Sequence, residues 1–127
     1  AVRQTIVERF EQIINSTAAA MGCRADINLQ SLTPALVNDP QVAEKVQHVA
    51  KAMFPEGKLE QQFRTMGAED MAFFLEQVPG CFFLVGSANH EKGLDAAHHH
   101  PRFDIDEEAL PFGAALMSAA ALDLLTG

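Results

Sequence analysis

The stretch Ala97-His98-His99-His100-Pro101-Arg102-Phe103-Asp104-Ile105-Asp106-Glu107-Glu108 places three adjacent imidazoles before a proline and an acidic run. Neutral imidazole is a common metal ligand, and carboxylates are favoured in the first turn of a helix. The stretch therefore predicts a loop that offers a candidate metal ligand and leads into a helix. Because the residue before Pro101 is biased towards extended backbone, at most one or two of the three rings can face a common site. The alternative is a solvated histidine-rich loop without a ligand role.

One loop cannot complete a metal site, because a zinc site normally uses at least three protein ligands. The other candidates are Glu69 and Asp70, which follow a short predicted strand and open a predicted helix. Two interpretations of this pair stand side by side. The carboxylates either only complement the helix dipole, or they line a site, since open α/β sheets bind ligands at the carboxyl ends of their strands.

Composition narrows the class of protein. The chain has 127 residues, enough for one domain with a real core, and a formal net charge of −8. Distributed acidity argues against nucleic acid or an anionic membrane as a partner. No apolar run approaches the roughly 18 residues that suggest a membrane span, and the first residues do not resemble a signal peptide. Cys23 and Cys81 are expected to be reduced, buried thiols in a cytoplasmic protein.

The first third of the chain predicts one helix, one strand and a connector. Apolar residues recur at three- and four-residue steps from Val2 to Thr17, and Gly22 marks the helix end. Residues 24–30 alternate strictly between apolar and polar, which predicts a half-buried strand. Residues 31–40 form a connector with a domain boundary, and its Asp39-Pro40 pair predicts the start of a second helix.

The remaining two thirds predict further helices and strands. Residues 61–65 read as a short strand, and a helix follows with Met71, Phe74, Leu75 and Val78 on one face. The apolar run of residues 81–85 predicts a strand covered on both faces, as in a parallel or mixed sheet. Residues 109–125 predict a helix that is apolar all round, and such helices are normally buried among several neighbours. The expected fold class is α/β, and the chain resembles part of a larger protein.

Three blocks, read in order, resemble the C-terminal portion of the M20 metallopeptidase family. They are residues 66–72, 78–86 and 99–111, which are similar to the family patterns Gly-Ser-Glu-Asp-Phe, Val-Pro-Gly-x-Phe-Phe-x-Leu-Gly and Leu-His-x-Pro-x-Tyr/Phe-Asp-x-x-Asp-Glu-x-Leu-Pro. The branch with the greatest resemblance is that of the amidohydrolases, which includes hippurate hydrolase, N-acyl-amino-acid amidohydrolases and auxin-conjugate hydrolases.

The resemblance implies a fold and a metal site. Residues 1–33 would be the last helix and strand of an inserted α/β lid and dimerisation domain, and residues 34–127 the C-terminal part of a mixed-sheet catalytic domain. His99, two positions before Pro101, matches the family's C-terminal metal ligand, although His98 stands where the family usually has leucine. Glu69 and Asp70 would be surrounding groups near a pair of divalent ions, zinc or manganese.

The resemblance also implies an activity that this chain lacks by itself. The family's other metal ligands and its general-base glutamate correspond to sequence upstream of the part present, so no catalytic residue is assigned. The chain is expected to be an inactive fragment of an amidohydrolase that cleaves the amide bond of N-acyl amino acids or peptide-like small molecules, as a cytoplasmic homo-oligomer. The alternatives are a stand-alone, non-catalytic α/β interaction module and one subunit of a split amidohydrolase.

Overall fold

The computed structural model describes residues 2–126, and these residues form four α-helices. They are α1 (Val2–Ala20), α2 (Pro40–Met53), α3 (Met71–Leu75) and α4 (Ala109–Thr126). Over the same residues the one β-pairing is an isolated antiparallel bridge between Asn89 and Leu94. The chain divides into two compact units, Ala1–Leu32 and Thr33–Gly127. Their assignment to a lid and a catalytic domain stays a prediction.

The first unit is α1 and the segment that follows it. The helix ends as the sequence predicts, because Gly22 has a φ of 68° and closes a Schellman motif. In this motif the Cys23 N–H donates to the Ala18 carbonyl (2.8 Å) and the Gly22 N–H donates to the Ala19 carbonyl (3.0 Å). No residue of α1 is buried. Its amphipathic pattern is therefore present without a fully buried face, although Val7, Ile14 and Ala18 are half-buried.

The core of the second unit lies where α2 packs against α4. Val46, Val49 and Ala50 of α2 and Ala120 of α4 are buried there. At one end of this contact the Phe54 and Phe112 rings meet edge to face with centroids 5.4 Å apart. The predicted start of α2 is confirmed, because the Asp39 carboxylate accepts hydrogen bonds from the N–H groups of Gln41 (2.9 Å) and Val42 (3.0 Å).

A side chain in the connector holds the segment after α3. The Asn38 amide nitrogen donates to the Phe82 carbonyl and its oxygen accepts from the Phe82 N–H, both at 2.8 Å. Beside it, the Asp39 N–H donates to the Gly80 carbonyl at 2.9 Å. Asn38 thus gives Phe82 the same donor and acceptor that a neighbouring strand would give it.

The predicted α/β fold class is wrong for the described part of the chain, which contains helices and no strands. The three segments predicted as strands, residues 24–30, 61–65 and 81–85, lie outside any sheet. A strand exists only when a second extended segment pairs with its backbone, and alternation or apolarity in one segment does not supply that partner. At Phe82 the partner is a side chain. The predictions of a lid strand and of a mixed-sheet domain are therefore wrong for the described residues.

The helix α4 differs from expectation in its surroundings. A helix so apolar is normally buried, yet only 6% of α4 is buried in this structure. By length and composition alone it could cross a membrane, contrary to the expectation that no apolar run approaches that length. The core helices of soluble proteins meet the same criterion, so the match is weak support for a membrane span.

The chain as a whole leaves more surface in water than a folded protein of its size does. Its accessible surface is 10738 Å². Two separate compact domains of these lengths would expose only about 8,000 Å² in total. Much of the excess is apolar, because residues such as Ile6, Phe63, Leu110 and Met117 are exposed.

We expect Asn38→Ala to lower the free energy of unfolding by about 1–3 kcal/mol, because it leaves the half-buried N–H and carbonyl of Phe82 without their partners. Urea unfolding of the chain, followed by circular dichroism, measures the change. The control is Asn28→Ala, at an exposed position in the first unit. Equal stability of the two variants would contradict the role given to Asn38.

Candidate functional site

The three histidines lie in a tight turn. The His100 N–H donates to the Ala97 carbonyl at 3.1 Å, so His98 and His99 are the two central residues. His99 has a φ of 66°, the one positive φ of a non-glycine residue within residues 2–126. The second central position of a type II turn requires this conformation and usually holds glycine. A histidine there is strained, and strained residues concentrate at functional sites.

A second turn begins where the first one ends. The Phe103 N–H donates to the His100 carbonyl at 2.9 Å, with Pro101 at the position that turns favour for proline. The Arg102 N–H donates to His100 Nδ1 at 3.1 Å, so this nitrogen is an unprotonated acceptor. We call residues 97–103 the histidine turn.

The three rings of the histidine turn have different surroundings. The His98 ring packs edge-on against Phe103, with centroids 4.8 Å apart. His100 uses one ring nitrogen to hold the backbone. The His99 ring is exposed, and within the described residues its nearest aromatic neighbour is His98, at a centroid distance of 6.4 Å. Of the three, His99 is the one whose two ring nitrogens and ring face are least engaged by local contacts.

Asp106 anchors the loop that carries the histidine turn. Its carboxylate accepts hydrogen bonds from Asn89 Nδ2 (2.6 Å) and from Lys92 Nζ (3.0 Å), while its N–H donates to the Ser87 carbonyl (2.8 Å). Its carbonyl accepts from the Ala109 N–H at the start of α4 (3.0 Å). Asp106 therefore closes the loop of residues 87–106 at its base.

The charges around Asp106 change two pKa values. The hydrogen bonds from Asn89 and then Lys92 lower the pKa of Asp106 below its ordinary value. Hydrogen bonds to Glu108 and then Asp106 raise the pKa of Lys92. A lowered carboxyl pKa stabilises the fold above the ordinary pKa, and this contribution is lost as the pH falls through the folded-state value. The raised pKa of Lys92 stabilises the fold at lower pH, and this contribution is lost as the pH rises above about 10.5.

The Ser87–Asp106 loop also contains a small hairpin. Asn89 and Leu94 exchange two backbone hydrogen bonds of 2.8 Å, and Gly93 takes a positive φ of 69° in the connecting turn. His90 Nδ1 lies 2.9 Å from Asp95 Oδ2, with both side chains largely in solvent. Exposed contacts between polar side chains stabilise little, so we assign this pair a local role.

The predicted carboxylates, Glu69 and Asp70, lie on an exposed segment before α3. They were expected in the first turn of a helix ending near Val78, but α3 is only five residues long and Asp70 is its N-cap. The Asp70 side chain makes no capping hydrogen bond. The first N–H groups of the helix bond to backbone carbonyls instead. The Ala72 N–H donates to the Glu69 carbonyl and the Phe73 N–H donates to the Asp70 carbonyl, both at 3.1 Å. Their predicted place near a metal stays a prediction.

The three motif blocks are joined only in part. The block of residues 78–86 is bonded to the connector at Asn38 and Asp39, and the next residue, Ser87, is bonded to Asp106 of the third block. No hydrogen bond within residues 2–126 joins Glu69 or Asp70 to the histidine turn. The structure thus links the second and third blocks and leaves the first one apart.

The described residues do not form a metal site by themselves. Across residues 2–126 no group of three or more histidine, cysteine, aspartate or glutamate side chains is arranged to hold a metal ion. The histidine turn supplies one suitable donor, whereas a stable site needs at least three. The described residues alone therefore do not fit a complete metal centre.

Four residues that position the site were not identified from the sequence. They are Asn38, Asn89, Lys92 and Asp106. Asp106 lay in an acidic run that predicted only a helix start, and its partners Asn89 and Lys92 lie 17 and 14 residues away. The sequence signal closest to these residues was the polar loop that ends in the histidine run. Of the two thiols predicted to be buried, Cys81 is half-buried and burial raises its pKa, whereas Cys23 is exposed, so the prediction is wrong for Cys23.

A shallow groove lies beside the base of the loop. It has a volume of about 340 Å³ and is lined by Val85, Ser87 and Ile105 together with Ala109, Leu110, Gly113 and Ala114 of α4. At Gly113 an added Cβ would come within 3.4 Å of Val85 Cγ2, so the small residue lets α4 approach this segment. The lining is mostly apolar and contains no charged side chain, so we assign the groove no chemistry.

Comparison with known proteins gives a consistent result. The profile of peptidase family M20/M25/M40 matches residues 4–123. The IAA-amino acid hydrolase ILR1-like 6 of Arabidopsis thaliana is 30% identical over 118 residues, which are 90% of this chain and 25% of that protein. The putative amidohydrolase YhaA of Bacillus subtilis is 29% identical over 95% of the chain and 31% of its own length.

An archaeal relative extends the range of activities. Thermostable carboxypeptidase 2 of Saccharolobus solfataricus is 27% identical over 95% of this chain and 30% of its own length. The chain thus spans about a quarter to a third of the length of these relatives. No solved structure matches it.

We expect His99→Gly to raise the free energy of unfolding of the chain by about 0.5–1 kcal/mol, because glycine removes the Cβ strain of a left-handed residue. The gain is smaller than the strain itself, since glycine also has more entropy in the unfolded state. His98→Gly is the control in the same turn, and it should destabilise by losing the contact with Phe103. Urea unfolding measures both, and a loss of stability in His99→Gly would contradict the strain assignment.

We expect Asp106→Asn to reduce stability between about pH 5 and pH 7, and the difference from the unmodified chain to vanish as the pH falls well below 4. At low pH the aspartate is itself protonated, so the amide no longer differs from it in charge. Urea midpoints across the pH range provide the measurement. Glu107→Gln removes a neighbouring exposed charge and should show no such pH-dependent gap. A gap that persists unchanged at low pH would rule out the charge as its cause.

Proposed function

Because the chain belongs to peptidase family M20/M25/M40, we propose that it forms the C-terminal portion of a metal-dependent amidohydrolase. The family match over residues 4–123 is supported by relatives named as hydrolases, an amidohydrolase and carboxypeptidases. The proposed reaction is hydrolysis of the amide bond of an N-acyl amino acid or a similar small peptide-like conjugate. The proposed setting is a cytoplasmic homo-oligomer.

The proposed metal role of this chain rests on the conformation and the contacts of the histidine turn. His99 is exposed in a strained conformation, while the His98 ring contacts Phe103 and the His100 ring accepts the Arg102 N–H. A ligand needs a free ring nitrogen and a fixed backbone, and His99 combines the two. We propose that His99 supplies one ligand to a zinc or manganese site.

The remaining ligands and the general base are proposed to lie in the part of the family's length that this chain does not span. This proposal is supported by the structure of residues 2–126, in which the histidine turn offers a single suitable metal donor. Glu69 and Asp70 are proposed as surrounding groups that the complete protein brings near the metal. On this proposal the chain has no hydrolase activity on its own, because water activation requires groups that it does not contain.

A second candidate is one subunit of a split amidohydrolase. It is favoured by the same coverage, since a complementary polypeptide could provide the other two thirds to three quarters of a relative's length. The two candidates place His99 in the same role and differ only in whether one or two polypeptides build the enzyme. A non-catalytic interaction module has less support, because the family match runs through all three motif blocks.

In the full-length protein, we expect His99→Ala to bind fewer divalent ions per chain and to lose amide hydrolysis by at least 100-fold, because a metal ligand is removed. His100→Ala is the matched control. It should keep its metal and most of its activity, since its ring holds only the local backbone. Metal content by elemental analysis and turnover of a hippurate-type substrate are the two measurements.

Equal losses of metal and activity in the two variants would contradict the assignment of His99 as the ligand. Full metal content and activity in His99→Ala would contradict it as well. A fully loaded full-length protein that hydrolyses no N-acyl amino acid would instead contradict the proposed reaction.

A further inference from the structure

The histidine turn makes no hydrogen bond of its own to the rest of the described protein. Within residues 2–126, every hydrogen bond of residues 97–104 goes to another residue of 97–105. All of residues 97–104 are exposed. The residues on either side that are half-buried are Leu94, Ala96, Ile105 and Asp106. The position of the His99 imidazole therefore depends on where these two ends are held.

The side chain and the backbone of Asn89 are bonded to both ends. Its backbone N–H and carbonyl each make a 2.8 Å hydrogen bond to Leu94, before the histidine turn. Its Nδ2 donates to Asp106 Oδ2 at 2.6 Å, after the turn. Its Oδ1 accepts the Lys92 N–H at 3.1 Å, which fixes the orientation of the amide. One half-buried residue thus closes residues 95–105 into a loop.

Two other groups hold Asp106, and they act differently. The Ser87 carbonyl accepts the Asp106 N–H, so it fixes the backbone and leaves the carboxylate free. Lys92 Nζ bonds to the Asp106 carboxylate and to Glu108, but the lysine side chain is 45% exposed and its attraction is screened by water. The bond from Asn89 is the shortest that the carboxylate accepts, and it contributes most to the lowered pKa of Asp106.

We propose that Asn89 is a positioning residue for the histidine turn, because it joins the two ends of residues 95–105 and so fixes where the His99 imidazole lies. This inference rests on the proposed function, in which His99 supplies a ligand. Asn89 itself touches neither the substrate nor the reacting atoms, and it acts only through His99. Opening a closed loop restores freedom to the segment between its ends, and small displacements of a functional group reduce rates strongly.

The test exchanges the donor and the acceptor of this bond in the full-length protein. Asn89→Asp removes the donor and places a second carboxylate opposite Asp106. Asp106→Asn turns a donor towards either Asn89 or Lys92, which are donors themselves. The double variant, Asn89→Asp with Asp106→Asn, restores one donor and one acceptor and keeps the original net charge. Because side-chain volume hardly changes in these variants, packing cannot explain a difference between them.

Hydrogen exchange measured by mass spectrometry reports on the turn directly, because the His100 and Phe103 N–H groups are bonded within it. Exchange of residues 97–103 is expressed relative to residues 40–53 of α2, which corrects for any change in overall stability. We expect this ratio to rise by about 10-fold in either single variant and to return to within about 2-fold of the original in the double variant. Asn28→Asp makes the same change at an exposed position of the first unit and should leave the ratio unchanged.

Turnover of a hippurate-type substrate provides the second measurement. We expect kcat of each single variant to fall by about 10-fold or more while KM stays nearly constant, because the displaced group is one that acts in the reaction. The double variant should recover most of the lost kcat. Asn28→Asp should keep the kcat of the unmodified protein.

Three results would overturn the role of Asn89. They are a double variant that recovers neither the exchange ratio nor kcat, an exchange ratio that Asn89→Asp leaves unchanged, and a kcat that stays constant although exchange becomes faster. Failure of the proposed function looks different, since the unmodified protein then hydrolyses no N-acyl amino acid. In that case the exchange ratios of the four variants still decide whether Asn89 positions the histidine turn.

Discussion

The packing of α2 against α4 is the contact on which the second unit depends, because four of the five buried residues of the described chain lie in these two helices. Two other segments of this unit are attached at the starts of these helices by hydrogen bonds, some made by side chains and some by the backbone. Asn38 holds Phe82 at the entrance to α2, and Asp106 holds Ser87 and Asn89 at the entrance to α4. Two helix starts therefore serve as the fixed points from which the loops extend.

Local interactions were predictable from the sequence, and non-local ones were not. The Gly22 helix end and the Asp39 cap each depend on residues within five positions, so their patterns were sufficient. The segments predicted as strands needed backbone partners far away in the chain. Residues 81–85 have the apolarity of a covered strand, but the backbone of Phe82 is bonded to a side chain 44 residues earlier. No pattern within the segment specifies that partner.

The same distinction applies to the candidate site. The sequence singled out the three histidines, and the resemblance to a family selected His99 among them. The structure adds a physical difference between the three, because the contacts of His98 and His100 lie within the histidine turn itself. The dependence of this loop on Asp106 could not be foreseen, since an acidic residue before a helix is already explained by the helix dipole. Its bonds to Asn89 and Lys92 appear only when the loop is closed.

The left-handed backbone at His99 has an evolutionary consequence. Selection for stability alone favours glycine or asparagine at such a position, because most chains are held only just above the stability that they need. The metal role proposed for His99 would offset this cost in stability. In a gene copy that had lost its enzymatic role, position 99 would be free to drift to a small residue, whereas His98 and His100 would still be retained for the turn. The identity of this one residue would then distinguish a working descendant from a decaying one.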